Sequence, residues 1–402
     1  MDMEARAIKD YPENVFSAKL GIQTLKLLKS IAIVGNTSSG KSNWFKGFDL
    51  MRYMVLNSTH ETWPNKNRVI EPFRLSTENE NQPTQFECTI LIKNVVYRYG
   101  FKCNNIEITA EWLHMQVKRR EETIFSRTRD EYSLLKRFPT DLKNKLAMLS
   151  GCTRKDALFL SVLSKFNVEI ASQILQWFQK NMVYSDADLV SAINYTVGLL
   201  AKPQYSALIH DIIKRADQGF TFIDKQINVY SNGSLLKTNH CRYDAGNKLV
   251  DEVYMDLFES ESTGAQKLIA LIGPMVKILA DGGIYWVDDL DSKINPQMIA
   301  LVLDLFHSEK HNKNNAQLVL ASYNQQISKQ LRRDQVVNVI KNSLGESVLS
   351  TRLVYKAQVR DMGSIKTGVF QQRHSTGNKP GIPAGQLTNH INKKRSSKAN
   401  NG

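Results

Sequence analysis

The sequence has only four cysteines, Cys88, Cys103, Cys152 and Cys241, scattered with no paired spacing. That pattern implies neither a disulfide framework nor a cysteine metal site, and it fits reduced cytosolic thiols. Long apolar runs are lacking too: the longest are far too short to span a bilayer, so no membrane role is expected. No charged region, apolar region and cleavage site open the chain in succession, so no secretion signal is read. A cytoplasmic protein is the expectation. No nuclease constellation is present either, so any damaging chemistry has to lie in a partner.

What remains is a globular composition, 42% hydrophobic and 23% charged over 402 residues, enough for one large or two ordinary domains. The net charge of +14 invites a nucleic-acid reading. From Asp361 to the end, however, seven Lys/Arg stand against one acidic residue and contribute +6. The rest is a moderate bias, for which a solvated basic surface and a DNA footprint are equally good accounts.

One stretch organises the chain: Ile31-Ala-Ile-Val-Gly-Asn-Thr-Ser-Ser-Gly-Lys-Ser42. Four apolar residues read as a buried strand. Gly35, four residues and Gly40-Lys41-Ser42 follow, then a helical run through Asn43, Trp44, Phe45 and Phe48. This is the strand, glycine loop and helix start of a P-loop. Glycines let the backbone fold tightly, so that N–H groups point at phosphate oxygens, and the helix N-terminus adds its positive end. Lys41 is assigned to the β- and γ-phosphates of ATP and the Ser42 hydroxyl to Mg²⁺; Gly35, Asn36, Ser38, Gly40 and Asn43 complete the cradle.

Downstream, Phe86–Ile92 and Val95–Phe101 alternate with period two around a tight turn at Lys93-Asn94. Ile106–Gln116 and Glu121–Phe125 extend this antiparallel β region. Residues 130–216 read as a helical insertion, with apolar residues at three- and four-residue spacing. Glu259-Ser-Glu-Ser-Thr-Gly-Ala-Gln-Lys267 precedes an apolar helical run from Leu268 to Leu279. There Ser262 and Gly264 read either as a second phosphate cradle or as an ordinary N-cap. Ile284-Tyr-Trp-Val is a buried strand ending in Asp288 and Asp289. Beside a P-loop, Asp288 suits Mg²⁺ and Asp289 the attacking water. A helix from Met298 to Phe306 and a strand from Gln317 to Ser322, ending in Tyr323-Asn324, come next. Val336–Ile340 and Val348–Tyr355 close the sheet. Residues 361–402 read as a basic, disordered tail. Residues 1–129 and 217–360 are thus the two sheet lobes of one α/β head.

This order resembles the ABC-type ATPase heads of SMC and RecF proteins, and most of all an AAA/ABC hybrid family of prokaryotic antiphage defence operons. AriA of the PARIS system and the ATPase of the AbiL system belong to that broad group. The resemblance rests on Leu28–Asn43, Glu261–Leu268, Asp288-Asp-Leu-Asp291 with Pro296, Ala316-Gln-Leu318 and Leu331-Arg-Arg-Asp-Gln335, and covers about residues 10–360. It implies two heads that sandwich two ATP molecules, with Ser262 and Gly264 acting on the other copy's γ-phosphate and Asp291 at the seam. ATP would hold the dimer and hydrolysis loosen it. The family has glutamate where Asp289 stands and histidine where Tyr323 or Asn324 stands. The shorter acid implies hydrolysis slower by about tenfold or more, and tyrosine donates a hydrogen bond but carries no charge. A further strand before Ala5 is also usual in the family.

Three functions follow as expectations. The first is a slow, self-assembling ATPase that senses infection, with a phage protein or DNA as trigger, and holds an effector such as a nuclease. The second is a DNA-associated RecF/SMC-like repair ATPase, with Lys118-Arg-Arg120, Arg127 and Arg129 as the contact patch. The third is a structural subunit that no longer hydrolyses ATP.

Overall fold

The computed structural model describes residues 1–21, 23–60, 69–77, 79–117, 120–135, 139–216, 219–220, 222–228, 233–351 and 369–373. An N-terminal hairpin of β1 (Val15–Leu20) and β2 (Gln23–Leu28) leads into β3 (Ser30–Val34), the P-loop and α1 (Lys41–Asn57). An antiparallel meander follows: β4 (Thr84–Ile92), β5 (Val95–Cys103), β6 (Ile108–Val117), β7 (Arg120–Thr128) and β8 (Glu131–Leu134). Lys93 and Asn94 have φ of 48° and 67°, so the tight turn expected there takes the doubly left-handed form that matches strand twist.

Then come α2 (Thr140–Gly151), α3 (Phe159–Lys165), α4 (Glu169–Lys180), β9 (Met182–Tyr184), α5 (Leu189–Leu200) and α6 (Pro203–Ala216). A small sheet of β10 (Phe222–Asn228), β11 (Gly233–Tyr243) and β12 (Leu249–Asp256) runs into α7 (Leu257–Ser260) and α8 (Thr263–Asp281). The chain continues through β13 (Ile284–Val287), α9 (Pro296–His307), β14 (Gln317–Ser322), β15 (Val336–Lys341), β16 (Ser347–Thr351) and β17 (Val369–Arg373). β17, inside the stretch expected as tail, pairs with β4 at the edge of the meander. Residues 361–368 and 374–402 of that tail lie outside the described residues, as do 352–355 of the expected closing strand.

The central sheet has the order β16-β15-β3-β14-β13-β9 and is parallel except for the β15–β16 pair. Its strands alternate between two cores. Ile31, Ile33 and Trp286 face α1, α4 and the meander, where the Phe48 and Trp286 rings stack at 4.2 Å. Ala32, Val34, Tyr285 and Val287 face α5, α6, α8 and α9. Period two thus puts helices on one face and helices plus a second sheet on the other. This is the α/β head that the chain order implies.

The stretch read as a helical insertion is largely helical but joins the head directly. β9 supplies the edge strand of the central sheet, and α4 buries Ile174 and Phe178 in the core shared with the meander. α5 docks on α8 through Thr196, whose hydroxyl donates to Ile269 O (2.7 Å) and accepts from Gly273 N (3.1 Å). The inserted hydroxyl thereby satisfies two backbone groups next to the helix-interior Pro274. A β-carbon on Gly273 would collide with Thr196, so glycine is what permits the approach.

α8 is also long and apolar enough to cross a membrane by length and composition, contrary to the expectation that no run is. Most of it is buried inside the protein, where an all-round apolar helix serves as core.

Beneath the sheet, at the end opposite the P-loop, His307 is buried against Ser30 (2.8 Å) and beside Lys29, whose ammonium donates to His307 O. Burial first, then the Lys29 charge, lowers the imidazole from 6.5 to about 4. The folded value lies below the unfolded one, so this contribution is full above pH 6.5 and is lost as pH falls towards 4. Urea unfolding should show up to about 3 kcal/mol of lost stability across that window. The loss should shrink in His307→Gln; equal pH profiles for the two chains would refute the assignment.

Candidate functional site

β3, β14 and β13 lie side by side and point the same way. The residues that follow them, Gly35–Ser42, Tyr323-Asn324 and Asp288–Asp291, therefore gather at the carboxyl ends of the strands, where open α/β sheets take ligands. Neighbouring strands, not sequence proximity, make the site.

The loop after β3 is shaped by close contacts. A β-carbon at Gly35 would lie 2.7 Å from Val339 O, and one at Gly40, where φ is +97°, would collide with Ser347. Ser347, at the start of β16, donates its hydroxyl to Ser39 O (2.7 Å), so the β15–β16 hairpin is pinned to the loop. Ser38 adopts φ of 62°, and such left-handed steps turn successive N–H groups into an anion-binding nest.

Lys41 opens α1 and is 3% exposed. Its ammonium donates to the carbonyls of Gly35 (2.8 Å) and Asn36 (3.1 Å) and sits 3.6 Å from the centre of the Tyr323 ring. Burial lowers its pKa, while Asp289, Asp291 and Asp288 pull it back up. The three carboxylates thus offset part of the cost of burying a cation beside the phosphate cradle.

The Ser42 side chain faces the Asp288 carboxylate. Burial raises Asp288, with Ser42 acting against it and the Asp289 charge reinforcing it. One oxygen each of Asp288, Asp289 and Asp291 is buried without a hydrogen-bond partner. Orphaned hard oxygens next to a serine hydroxyl fit Mg²⁺, which binds one or two protein oxygens and completes its shell with phosphate and water. Among the described residues no cluster of three or more His, Cys, Asp or Glu side chains could hold a metal alone.

Asp289 has φ of 49°, and its carboxylate faces the Tyr323 phenol. Partial burial, Asp289 and the nearby acids together raise the Tyr323 phenol. Tyr323, rather than Asn324, is therefore the group facing Lys41 and Asp289. Asp291, expected at a seam between copies, is engaged within its own chain. One oxygen accepts from Ser322 Oγ (2.9 Å), Tyr323 N (2.8 Å) and Asn324 N (2.9 Å). A short carboxylate just past β13 reaches the turn after β14, which fixes where Tyr323 points.

A cavity of about 860 Å³ extends from Ser38, Lys41, Ser42, Asn43 and Tyr323 towards the loop at 69–75 and the β15–β16 turn. Ser262 and Gly264 do not line it. Ser262 caps α8, accepting from Ala265 N at 3.1 Å, and Gly264 packs against the loop after Asp289. The structure shows the N-cap of the two readings of that segment.

Of the basic patch of the DNA reading, Arg120 and Arg129 are exposed but Arg127 is not available. Arg127 is 3% exposed, with Glu111, Tyr132 and Ala157 as partners; Lys118 and Arg119 lie outside the described residues. An arginine on a strand face looks the same in sequence whether its carboxylate partner is buried beside it or not. Sequence reading also missed Ser347 and gave Lys267 no role. The available signal was a lone lysine next to an apolar helical run.

A family profile described as "AAA domain, putative AbiEii toxin, Type IV TA system" matches residues 30–325, from the start of β3 to just past Tyr323. Two solved structures match the chain over most of their length. An SMC head bound to the C-winged helix domain of ScpA shares 12% identity over 85% of this chain and 98% of that one, with a TM-score of 0.41. The SMC head domain of Thermotoga maritima shares 12% identity over 84% and 96%, with a TM-score of 0.37. No curated protein sequence matches the chain.

Proposed function

This chain belongs to that AAA-domain family, and on that premise we propose that it is a slow, Mg²⁺-dependent ATPase whose nucleotide state controls self-assembly in an antiphage defence system. The supporting observation is the meeting of Lys41, Ser42, Asp288, Asp289 and Tyr323 at the ends of three adjacent strands. In this reading the nest at Gly35–Gly40 binds the β- and γ-phosphates, and Lys41 leaves the loop carbonyls for them. Ser42 and Asp288 hold Mg²⁺, which supplies neutralisation of phosphate charge. Asp289 orients the attacking water through its free oxygen. Tyr323 lies beside that carboxylate and over Lys41.

Slowness fits an acid that is one methylene short of glutamate. The defence role draws on the family's toxin–antitoxin description. A separate effector, such as a nuclease, would then do the damage, with a phage protein or DNA as the cue. Ser262 and Gly264, on an open helix end away from the cavity, are suited to a second copy's γ-phosphate. Pull-down of the chain from its native operon, with and without ATP, tests the effector role; recovery of no second protein under any nucleotide condition would refute it. Lys41→Ala should weaken ATP binding by about ten- to a hundredfold and abolish ATP-dependent assembly. Titration calorimetry and mass in solution check this, and wild-type affinity in Lys41→Ala would overturn the site.

A further inference from the structure

Lys267 is the fifth residue of α8 and one of the most deeply buried side chains, 1% exposed. A buried ammonium costs several kcal/mol unless it is paired, and an apolar residue of its size would fill the same space without that cost. Its two acceptors bear on the nucleotide site. Nζ donates to the main-chain oxygen of Asp289 (2.7 Å) and pairs with Asp186 (2.9 Å). Asp186 follows the edge strand β9, whose Tyr184 carbonyl accepts from Asp288 N (3.0 Å). Lys267 therefore ties the first turns of α8 to the peptide that carries the acid pair.

Asp289 needs such a tie. Its φ of 49° is a left-handed conformation, uncommon for a non-glycine residue, although aspartate takes it more readily than most. One of its carboxylate oxygens has no partner, so the aim of that oxygen is set largely by the backbone. Besides Lys267, its main-chain oxygen accepts only a local bond from Ser292 N (3.0 Å) among the described residues. A second contact reinforces the coupling: a β-carbon on Gly264 would lie 2.6 Å from Lys293 O, so the α8 N-terminus touches the far end of the same loop.

We infer that Lys267 is a positioning residue that locks the Asp289 peptide to the Ser262 end of α8, so that what this helix end engages sets the aim of the Asp289 carboxylate. This rests on the reading of Asp289 as the group that orients water. If Ser262 meets the nucleotide of a second copy, the signal reaches the base through one buried lysine.

The experiment is a double-mutant cycle on the full chain, reading ATP turnover and ATP affinity separately. Lys267→Met keeps the volume and removes the charge. Turnover should fall by about 10- to 100-fold, the cost of a small misplacement of a catalytic group, with affinity within about twofold. In an Asp289→Ala background the same substitution should change turnover by less than about twofold, because there is no carboxylate left to aim. Full turnover in Lys267→Met, or an equal loss on top of Asp289→Ala, overturns the assignment. Full turnover in Asp289→Ala alone overturns it together with the site reading. Should Lys267→Met not fold, Asp186→Asn replaces it, with about a three- to tenfold loss that likewise disappears in Asp289→Ala; persistence of the loss there overturns the proposal.

Discussion

Asp289→Ala should lower ATP turnover by about 10²–10³-fold, the contribution of a well-placed general base. ATP affinity should stay within about twofold, because the phosphate nest, Lys41 and Ser42 are untouched. The reason is local. Each of the three acids keeps one buried oxygen free, but Asp288 faces Ser42 and Asp291 holds the turn after β14, which leaves Asp289, beside Tyr323, for the water in this reading. A chain that binds ATP without cleaving it should accumulate in its ATP-dependent assembly. Phosphate release measured beside mass in solution reads both effects. If turnover is unchanged and the mass ignores nucleotide, the third expectation, a structural subunit with a relic site, takes over. Asp289→Glu tests why the reaction is slow. A gain of up to about tenfold identifies reach as the limit; a loss identifies the left-handed backbone, which glutamate tolerates less well than aspartate.

The second large effect is on stability, in the meander. Glu111 is fully buried. It accepts from Tyr99 OH (3.0 Å), Phe159 N (2.7 Å) and Leu160 N (2.9 Å), and pairs with the buried Arg127 at 3.4 Å. Burial raises its pKa, while Arg127, the two α3 amides and Tyr99 act the other way. Glu111→Ala should cost about 3–5 kcal/mol, because it strands an arginine charge and the first N–H groups of α3 in the core. Urea denaturation reads the loss as a lower midpoint at constant slope. Removing both charges should recover much of it: Glu111→Met with Arg127→Met should be more stable than Glu111→Ala. A loss below about 1 kcal/mol in Glu111→Ala would mean that solvent reaches the pair.

Several elements could be read directly because their causes are local. β3, the glycine loop and α1 follow from an apolar run, two glycines in close contacts and a helix start within one short stretch. The Lys93-Asn94 turn follows from period-two strands on either side. α9 follows from Asn295, which caps Met298 N at 2.9 Å, and from Pro296 in the first turn. Other elements escaped because nothing local marks them. β9 has only three residues and forms because β13 offers a parallel edge. β12 has mostly exposed residues and so shows no core-facing periodicity.

The functional residues divide the same way. Identity and order in the chain were sufficient to name Lys41, Ser42, Asp288 and Asp289 as candidates, because phosphate and Mg²⁺ chemistry calls for those groups after a strand, while Tyr323 or Asn324 came only from the family resemblance. Their division of labour was not readable. Asp291 turns inward to bind the Tyr323 turn 32 residues away. Tyr323 covers Lys41 because β14 lies beside β3. Arg127 leaves the surface because Glu111 and α3 meet it in the core, and Lys267 is buried against the acid loop because α8 packs beneath β13. Local propensity and motif chemistry act over a few residues, and the sequence alone determines what depends on them: the P-loop, the strand–acid pair and the α/β class. Partner choice for a buried charge depends on which strands become neighbours, and that is settled only when the whole chain closes its two cores.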